Sequence, residues 1–319
     1  MQDKLGPDGQ PINGPGLKTS FAEFVVLTAL LISLTAMSID IMLPSLPQIG
    51  AAFSVANANE TQQIITSYML GLGFGQLAWG PLSDRFGRKV LLLIGLFIFV
   101  LGSFACLLAP TLNAMLGARA VQGFGGAAAR VISVAIVRDM FAGRQMARVM
   151  STVMTVFIAV PVFAPSVGQA LAHIGNWRWN FYVLLAAGLI GMVWAGYRLS
   201  ETSRPAGAAM LGFIDGCRAV LRNRVTLGYT IASGFMFACL VSYISSAQQI
   251  FVDVYGLGQL FPVMFGALAC SLAVASFTNA RLVQRLGMRR ASHSALIALI
   301  ALSLAMSLAS IAGRPTLLV

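Results

Sequence analysis

Nine stretches of about 20 predominantly apolar residues follow one another along this chain, and a helix needs a run of that length to cross the hydrocarbon layer of a bilayer. They cover roughly 22–44, 61–82, 90–109, 112–137, 149–172, 178–198, 225–248, 258–280 and 291–312. Charged residues make up 10% of the 319 residues, against about 25% in soluble domains. Such a chain cannot cover a water-facing surface, so the bilayer is its expected solvent. With no water in that layer, each backbone must satisfy its own hydrogen bonds. The expected class is therefore an all-α membrane protein. The first run is long and many follow it, so no cleaved leader is expected.

The net charge of +11 would suggest a nucleic-acid partner in a soluble protein. Here the cations sit in short gaps between apolar runs, the pattern of cytoplasmic membrane loops, and nucleic acid is not expected. Seventeen of the 21 basic residues fall on one side of the layer, whereas Arg178 and Arg314 fall on the other. The N-terminus is therefore expected to be cytoplasmic. Residues 1–20, polar and rich in Gly and Pro, read as a disordered tail. Cys106, Cys217, Cys239 and Cys270 have no ligand spacing and read as small hydrophobes, so neither a metal site nor a disulfide framework is expected.

The longest gap, residues 200–224, contains Glu201, Pro205 and Asp215 and should link two bundles, at 21–199 and 225–319. An internal repeat supports the division. The segment Gly80-Pro81-Leu82-Ser83-Asp84-Arg85-Phe86-Gly87-Arg88-Lys89 recurs 200 residues later as Ala280-Arg281-Leu282-Val283-Gln284-Arg285-Leu286-Gly287-Met288-Arg289. Leu, Arg, Gly and a final cation match, and each copy follows the second helix of a bundle, as duplicated halves require. Six spans then precede the link and three follow it. The expectation is a complete six-helix bundle and a second one that stops three helices short.

Three charges fall inside spans: Asp40, Arg119 and Arg130. A charge at mid-membrane costs about 2.5–3.5 kcal/mol, so such residues face a cavity or a partner. Asp40 and Arg119 lie at similar depths, about 6 and 10 Å from the outer ends of their helices at 1.5 Å per residue. They form either a structural ion pair or part of a cavity. If Asp40 carries protons, it is paired with Arg119 and ionised in one conformation and protonated in another. Arg130 lies eleven residues beyond Arg119, nearly a whole number of turns, so both point the same way. Arg130 then either lines the same cavity or snorkels to the membrane surface.

Gly71, Gly73, Gly75 and Gly80 on the second span, and Gly123, Gly125 and Gly126 on the fourth, let helices approach closely, for static packing or for sliding. Pro161 and Pro165 remove backbone donors from the fifth span and should kink it. Trp177, Trp179, Phe181 and Tyr182 read as an interfacial belt. No nucleophile–base pair or metal cluster lies within the spans, so an enzyme is not expected.

Taken together these motifs resemble the major facilitator superfamily, in its drug:proton antiporter branch and specifically the Bcr/CflA type of multidrug efflux transporter. The resemblance covers about residues 22–312. Asp40-Ile41-Met42-Leu43-Pro44-Ser45-Leu46-Pro47 resembles the first-helix signature, residues 80–89 the loop motif, and Arg119-Ala120-Val121-Gln122-Gly123-Phe124-Gly125-Gly126 the fourth-helix motif. Ala164-Pro165-Ser166-Val167-Gly168-Gln169 is similar to the fifth-helix antiporter motif, although Ala164 and Gln169 stand where glycines are usual. Trp177-Arg178-Trp179-Asn180-Phe181 also fits.

The resemblance implies proton coupling through Arg119, and a conformational latch built from Gly80, Asp84, Arg85, Gly87, Arg88 and Asp139. It also implies that Pro161, Pro165 and Gly168 carry the antiporter motif. It further implies efflux of small drug-like molecules by alternating access, as a monomer in the bacterial inner membrane, driven by the proton gradient with no cofactor. The alternative from the missing spans is a non-transporting truncated product.

Overall fold

The computed structural model describes residues 20–55, 57–202, 213–258 and 260–312. The expected tail at 1–19, Arg204, Pro205 and Arg314 lie outside the described residues. The described residues are helical throughout, with no strand among them. The helices are α1 Phe21–Asp40, α2 Leu46–Ala52, α3 Ala58–Phe86, α4 Arg88–Leu108, α5 Leu112–Met140 and α6 Gly143–Ile174. They continue with α7 Arg178–Arg198, α8 Phe213–Arg222, α9 Arg224–Gln249, α10 Phe261–Leu286 and α11 Met288–Ala312. Nine of these are long, six before the link and three after it, while α2 and α8 are short. The link expected over 200–224 thus contains a helix of its own, α8.

Among the described residues, seven helical stretches are long and apolar enough to cross a membrane. Of the nine expected spans, α3 is outside this set because Gly71, Gly73, Gly75, Gln76 and Gly80 dilute its apolar residues, and α10 contributes the described apolar stretch Phe261–Ser276. Both are long, and both pack against other helices rather than standing alone in lipid.

Local chemistry sets the breaks. Pro44 and Pro47 lack the N–H that would continue α1, so the chain tightens into a 3-10 turn at Leu43–Ser45 before α2. Thr111 caps α5, its hydroxyl accepting from the Ala114 amide. α3 and α4 are joined through Gly87 alone, at φ 100°, and α10 and α11 through Gly287 alone, at φ 78°. Only glycine adopts that backbone freely. The 200-residue repeat is therefore a repeat of geometry as well as of sequence.

α5 is the hub of the first six long helices, with α3 on one side and α4 on the other. The glycines explain how close they come. A Cβ on Gly71 would sit 1.9 Å from the Ala120 carbonyl oxygen, and one on Gly123 would sit 2.0 Å from that of Tyr68. One on Gly125 would lie 2.3 Å from the Phe99 nitrogen. Gly73 and Gly80 meet nothing within 4 Å, so they are not part of this packing. α6 runs unbroken through Pro161 and Pro165 and packs on both α1 and α10. Trp177 and Phe181 are buried, which removes them from the expected belt, whereas Trp179 and Tyr182 are exposed and ring-to-ring.

Candidate functional site

A cavity of about 500 Å³ opens between the first six long helices and α9–α10. α1, α3, α5 and α6 contribute Thr35, Ile39, Asp40, Leu72, Arg130, Phe157 and Pro161. α9 and α10 contribute Phe237, Tyr243, Ile244, Phe265 and Leu272. The wall is apolar and aromatic, and Asp40 and Arg130 are its charged groups. Asp40 ends α1 one turn before Pro44 and is 3% exposed. Arg130 lies over the Phe157 ring at 5.5 Å, a cation–π contact. It faces the cavity rather than snorkelling along its own helix. Tyr243 stacks on Phe265 at 6.1 Å with rings nearly parallel. Its hydroxyl is buried without a hydrogen-bond partner among the described residues.

Arg119 is elsewhere. It is fully buried and does not line the cavity, although it lies on the same helix as Arg130. Its Nη1 donates to Gln122 Oε1 at 2.6 Å, its Nη2 to the Ser38 carbonyl at 3.0 Å and its Nε to the Ile64 carbonyl at 3.3 Å. Its guanidinium lies 4.5 Å from the Tyr68 ring centre. Gln122 in turn donates to Ser103 on α4 at 2.7 Å. The Ser38 carbonyl is available because the α1 ladder breaks beyond Asp40: the Met42 amide turns to Ile39 instead. Arg119 thus ties α1, α3, α4 and α5 together, and no Asp40–Arg119 ion pair forms among the described residues. The shared helical phase of Arg119 and Arg130 is real, but α1 and α3 close over the first and the cavity receives the second.

At the end of the helices where the cations cluster, Arg88 bonds Asp84 and also Asp139, the latter at 3.0 Å, with Ser83 Oγ at 2.7 Å. The structure therefore brings Asp84, Arg88 and Asp139 together across α3, α4 and α5. Arg85 lies outside this group, over the ring of Phe86. The sequence did not flag Glu201. Its carboxylate accepts from the Arg88 amide at 2.8 Å and the Lys89 amide at 3.1 Å, capping α4. A Cβ on Gly87 would lie 2.8 Å from that carboxylate, so the glycine leaves room for the cap as well as for the turn. An acid at the start of a basic link was the available signal.

At the opposite end, α3 meets α9 through neutral amides. Gln62 donates to Gln249, and Gln249 donates to Asn59 at 3.2 Å. Gly168 fits against the broken turn of α1, where its Cβ would stand 2.0 Å from the Ile41 carbonyl oxygen. Pro165 lies on the same helix, and Pro161 lines the cavity.

Comparison with known proteins places this architecture. The model of the Major Facilitator Superfamily matches residues 28–319. An uncharacterized MFS-type transporter of Bacillus subtilis, YdgK, is 33% identical over 261 residues, covering 80% of this chain and 65% of the relative. A bicyclomycin resistance protein homolog of Haemophilus influenzae is 31% identical, covering 83% of this chain and 67% of that protein. A chloramphenicol resistance protein of Pseudomonas aeruginosa is 28% identical, covering 84% and 64%. The chain spans about two thirds of the length of these curated relatives. A D-xylose–proton symporter of known structure superposes with a TM-score of 0.66 at 14% identity, covering 83% of this chain and 69% of that one. At that identity the likeness speaks for the fold alone. Helix order, the glycine-hinged repeat and the family match agree, and the chain belongs to the major facilitator superfamily, among the relatives of Bcr/CflA-type transporters.

Proposed function

We propose that this protein exports small, partly apolar compounds in exchange for protons by alternating access. The observation that carries the reading is the cavity between α1, α3, α5, α6 and α9–α10, a mainly apolar and aromatic wall whose charged groups are one carboxylate and one guanidinium. The names of the bicyclomycin and chloramphenicol resistance relatives support drug-like substrates. Asp40 is the proton carrier, since it is the acid in the cavity wall, with Arg130 as its electrostatic counterpart. Arg119 acts from behind the wall. It holds the Ser38 carbonyl, two residues from Asp40, and so couples the state of Asp40 to the packing of α3, α4 and α5. In the alternate state Asp40 is ionised and paired with Arg119.

The bundles at 21–199 and 225–319 rock about the cavity, joined by the link at 200–224. The Asp84–Arg88–Asp139 cluster biases that equilibrium if it is made in only one state. The protein sits as a monomer in a bacterial inner membrane with its N-terminus in the cytoplasm. There the proton gradient is its energy source; the potential alone supplies about 2.3 kcal/mol per charge per 100 mV.

Proteoliposomes with an imposed pH gradient and a panel of antibiotics test the reading. The expected result is accumulation of at least one compound, abolished by a protonophore. No gradient-dependent flux of any compound would overturn it.

A further inference from the structure

A second, smaller pocket of about 190 Å³ is lined from the turn after α1 and from α2, α6, the end of α9 and the start of α10. Its lining includes Pro44, Gln48, Gln169, His173, Gln248 and Phe261. Two of these elements, α9 and α10, continue into it from residues of the first cavity. On α9 Gln248 follows Ile244 and on α10 Phe261 precedes Phe265, each by one helical turn, about 5.4 Å, while Pro44 lies in the 3-10 turn four residues after Asp40. The two spaces are therefore successive along α9 and α10, the second toward the amide-bonded end. Phe265 faces one and Phe261 the other, and their ring centres are 5.7 Å apart, so this pair forms the partition.

The chemistry of the two spaces differs. The central cavity carries Asp40 and Arg130. No carboxylate, lysine or arginine lines the smaller pocket. Gln248 is only 5% exposed, lines the pocket and makes no hydrogen bond to the described residues. A ligand with matching groups meets the donors and the acceptor that this amide leaves unused. Gln169, half-buried, adds a second amide to the lining, and the Gln48 amide nitrogen donates to the Ala172 carbonyl at 3.3 Å.

We infer that this pocket is a second ligand site, on the exit side of the Phe261–Phe265 partition, for an uncharged compound bearing both hydrogen-bond donors and acceptors. The site rests on the exporter reading for its place in a route, but not for its existence. An amide donates and accepts at once, so it recognises hydroxyl, amide or lactam groups. It offers a permanent cation no compensating charge. The substrate class is thereby narrowed to neutral polar compounds that cross an apolar, charged cavity first and a neutral amide site second.

Equilibrium dialysis on the purified chain in nanodiscs tests this, with chloramphenicol as the neutral hydrogen-bonding probe and tetraphenylphosphonium as a cation without such groups. Two chloramphenicol molecules per chain are expected. One should be lost in Gln248→Leu and in Gln248→Leu/Gln169→Leu, with the elution profile and thermal unfolding of the chain unchanged. Tetraphenylphosphonium should bind at no more than one site, unaffected by Gln248→Leu. One chloramphenicol per chain, none, or two that survive both substitutions would overturn the second site. Gradient-driven flux with a single bound probe would leave the exporter reading intact and remove the site. Two bound probes without flux would keep the site and remove the exporter reading.

Discussion

Arg119 and Arg130 lie on one helix and one helical phase, yet they occupy two different regions. Around Arg119 the first six long helices close completely: three donors meet two carbonyls and one amide, an aromatic ring covers the guanidinium, and glycines bring α3 and α5 together. Around Arg130 the packing stops, and the guanidinium shares an apolar cavity with Asp40, Phe157 and Tyr243. A buried charge whose hydrogen bonds are all met by protein serves packing. A charge that faces a cavity remains available to a ligand or a proton-carrying partner. The same residue type is therefore sealed by protein contacts in one region and open to a cavity in the other.

Substitutions can break this contrast, and the largest effect is expected at Arg119. Arg119→Leu strands the Ser38 and Ile64 carbonyls and Gln122, and hydrogen bonds to a charged group are worth about 1.5–3 kcal/mol each. A loss of more than about 3 kcal/mol follows. It should appear in detergent as a sharply lowered unfolding temperature; an unchanged one would mean that Arg119 does not hold the bundle. Gly123→Ala drives a methyl into the Tyr68 carbonyl and should cost about 1–3 kcal/mol by overpacking. The same substitution at Gly73 meets open space and should cost little, so thermal melts of the pair sharpen the assignment of the α3–α5 seam.

Arg130→Gln should leave the unfolding temperature nearly unchanged while lowering gradient-driven flux at least tenfold. Equal losses of stability and flux would erase the distinction between the two arginines. The smallest effect is expected from Glu201→Ala, which removes a helix cap worth about 1 kcal/mol. Faster amide exchange at Arg88 and Lys89, with other sites unaffected, would show it.

Much of this was readable from the chain itself. Apolar runs of membrane length locate every long helix, because nothing but a helix satisfies the backbone in lipid. The repeated Gly87 and Gly287 mark the same tight connection twice, because the positive φ there needs a glycine. The grouping of Asp84, Arg88 and Asp139 was reachable only through the resemblance of residues 80–89 to the family's loop motif. What sequence could not supply is which neighbour covers a given face. Helical phase puts Arg119 and Arg130 in line, but the sealing of Arg119 depends on Ser38 and Ile64 from two other helices. Gln122, three residues on, was within reach of a same-face argument. Glu201 and Gln249 were not, because their partners are more than one hundred residues away in sequence, nor was Gln248, whose pocket draws on α2 and α6. The polar start of α3 has its partner on α9, out of sight for the same reason, through Asn59 and Gln62.

The central claim is that Asp40, in the cavity wall, carries the proton that drives export. Asp40→Asn keeps the size and hydrogen-bonding shape of the side chain but cannot titrate. The direct measurement is flux in proteoliposomes under an imposed pH gradient, beside downhill flux of the same compound without one. Loss of the gradient-driven component with downhill exchange retained is the predicted result. Full gradient-driven transport by Asp40→Asn would contradict the account.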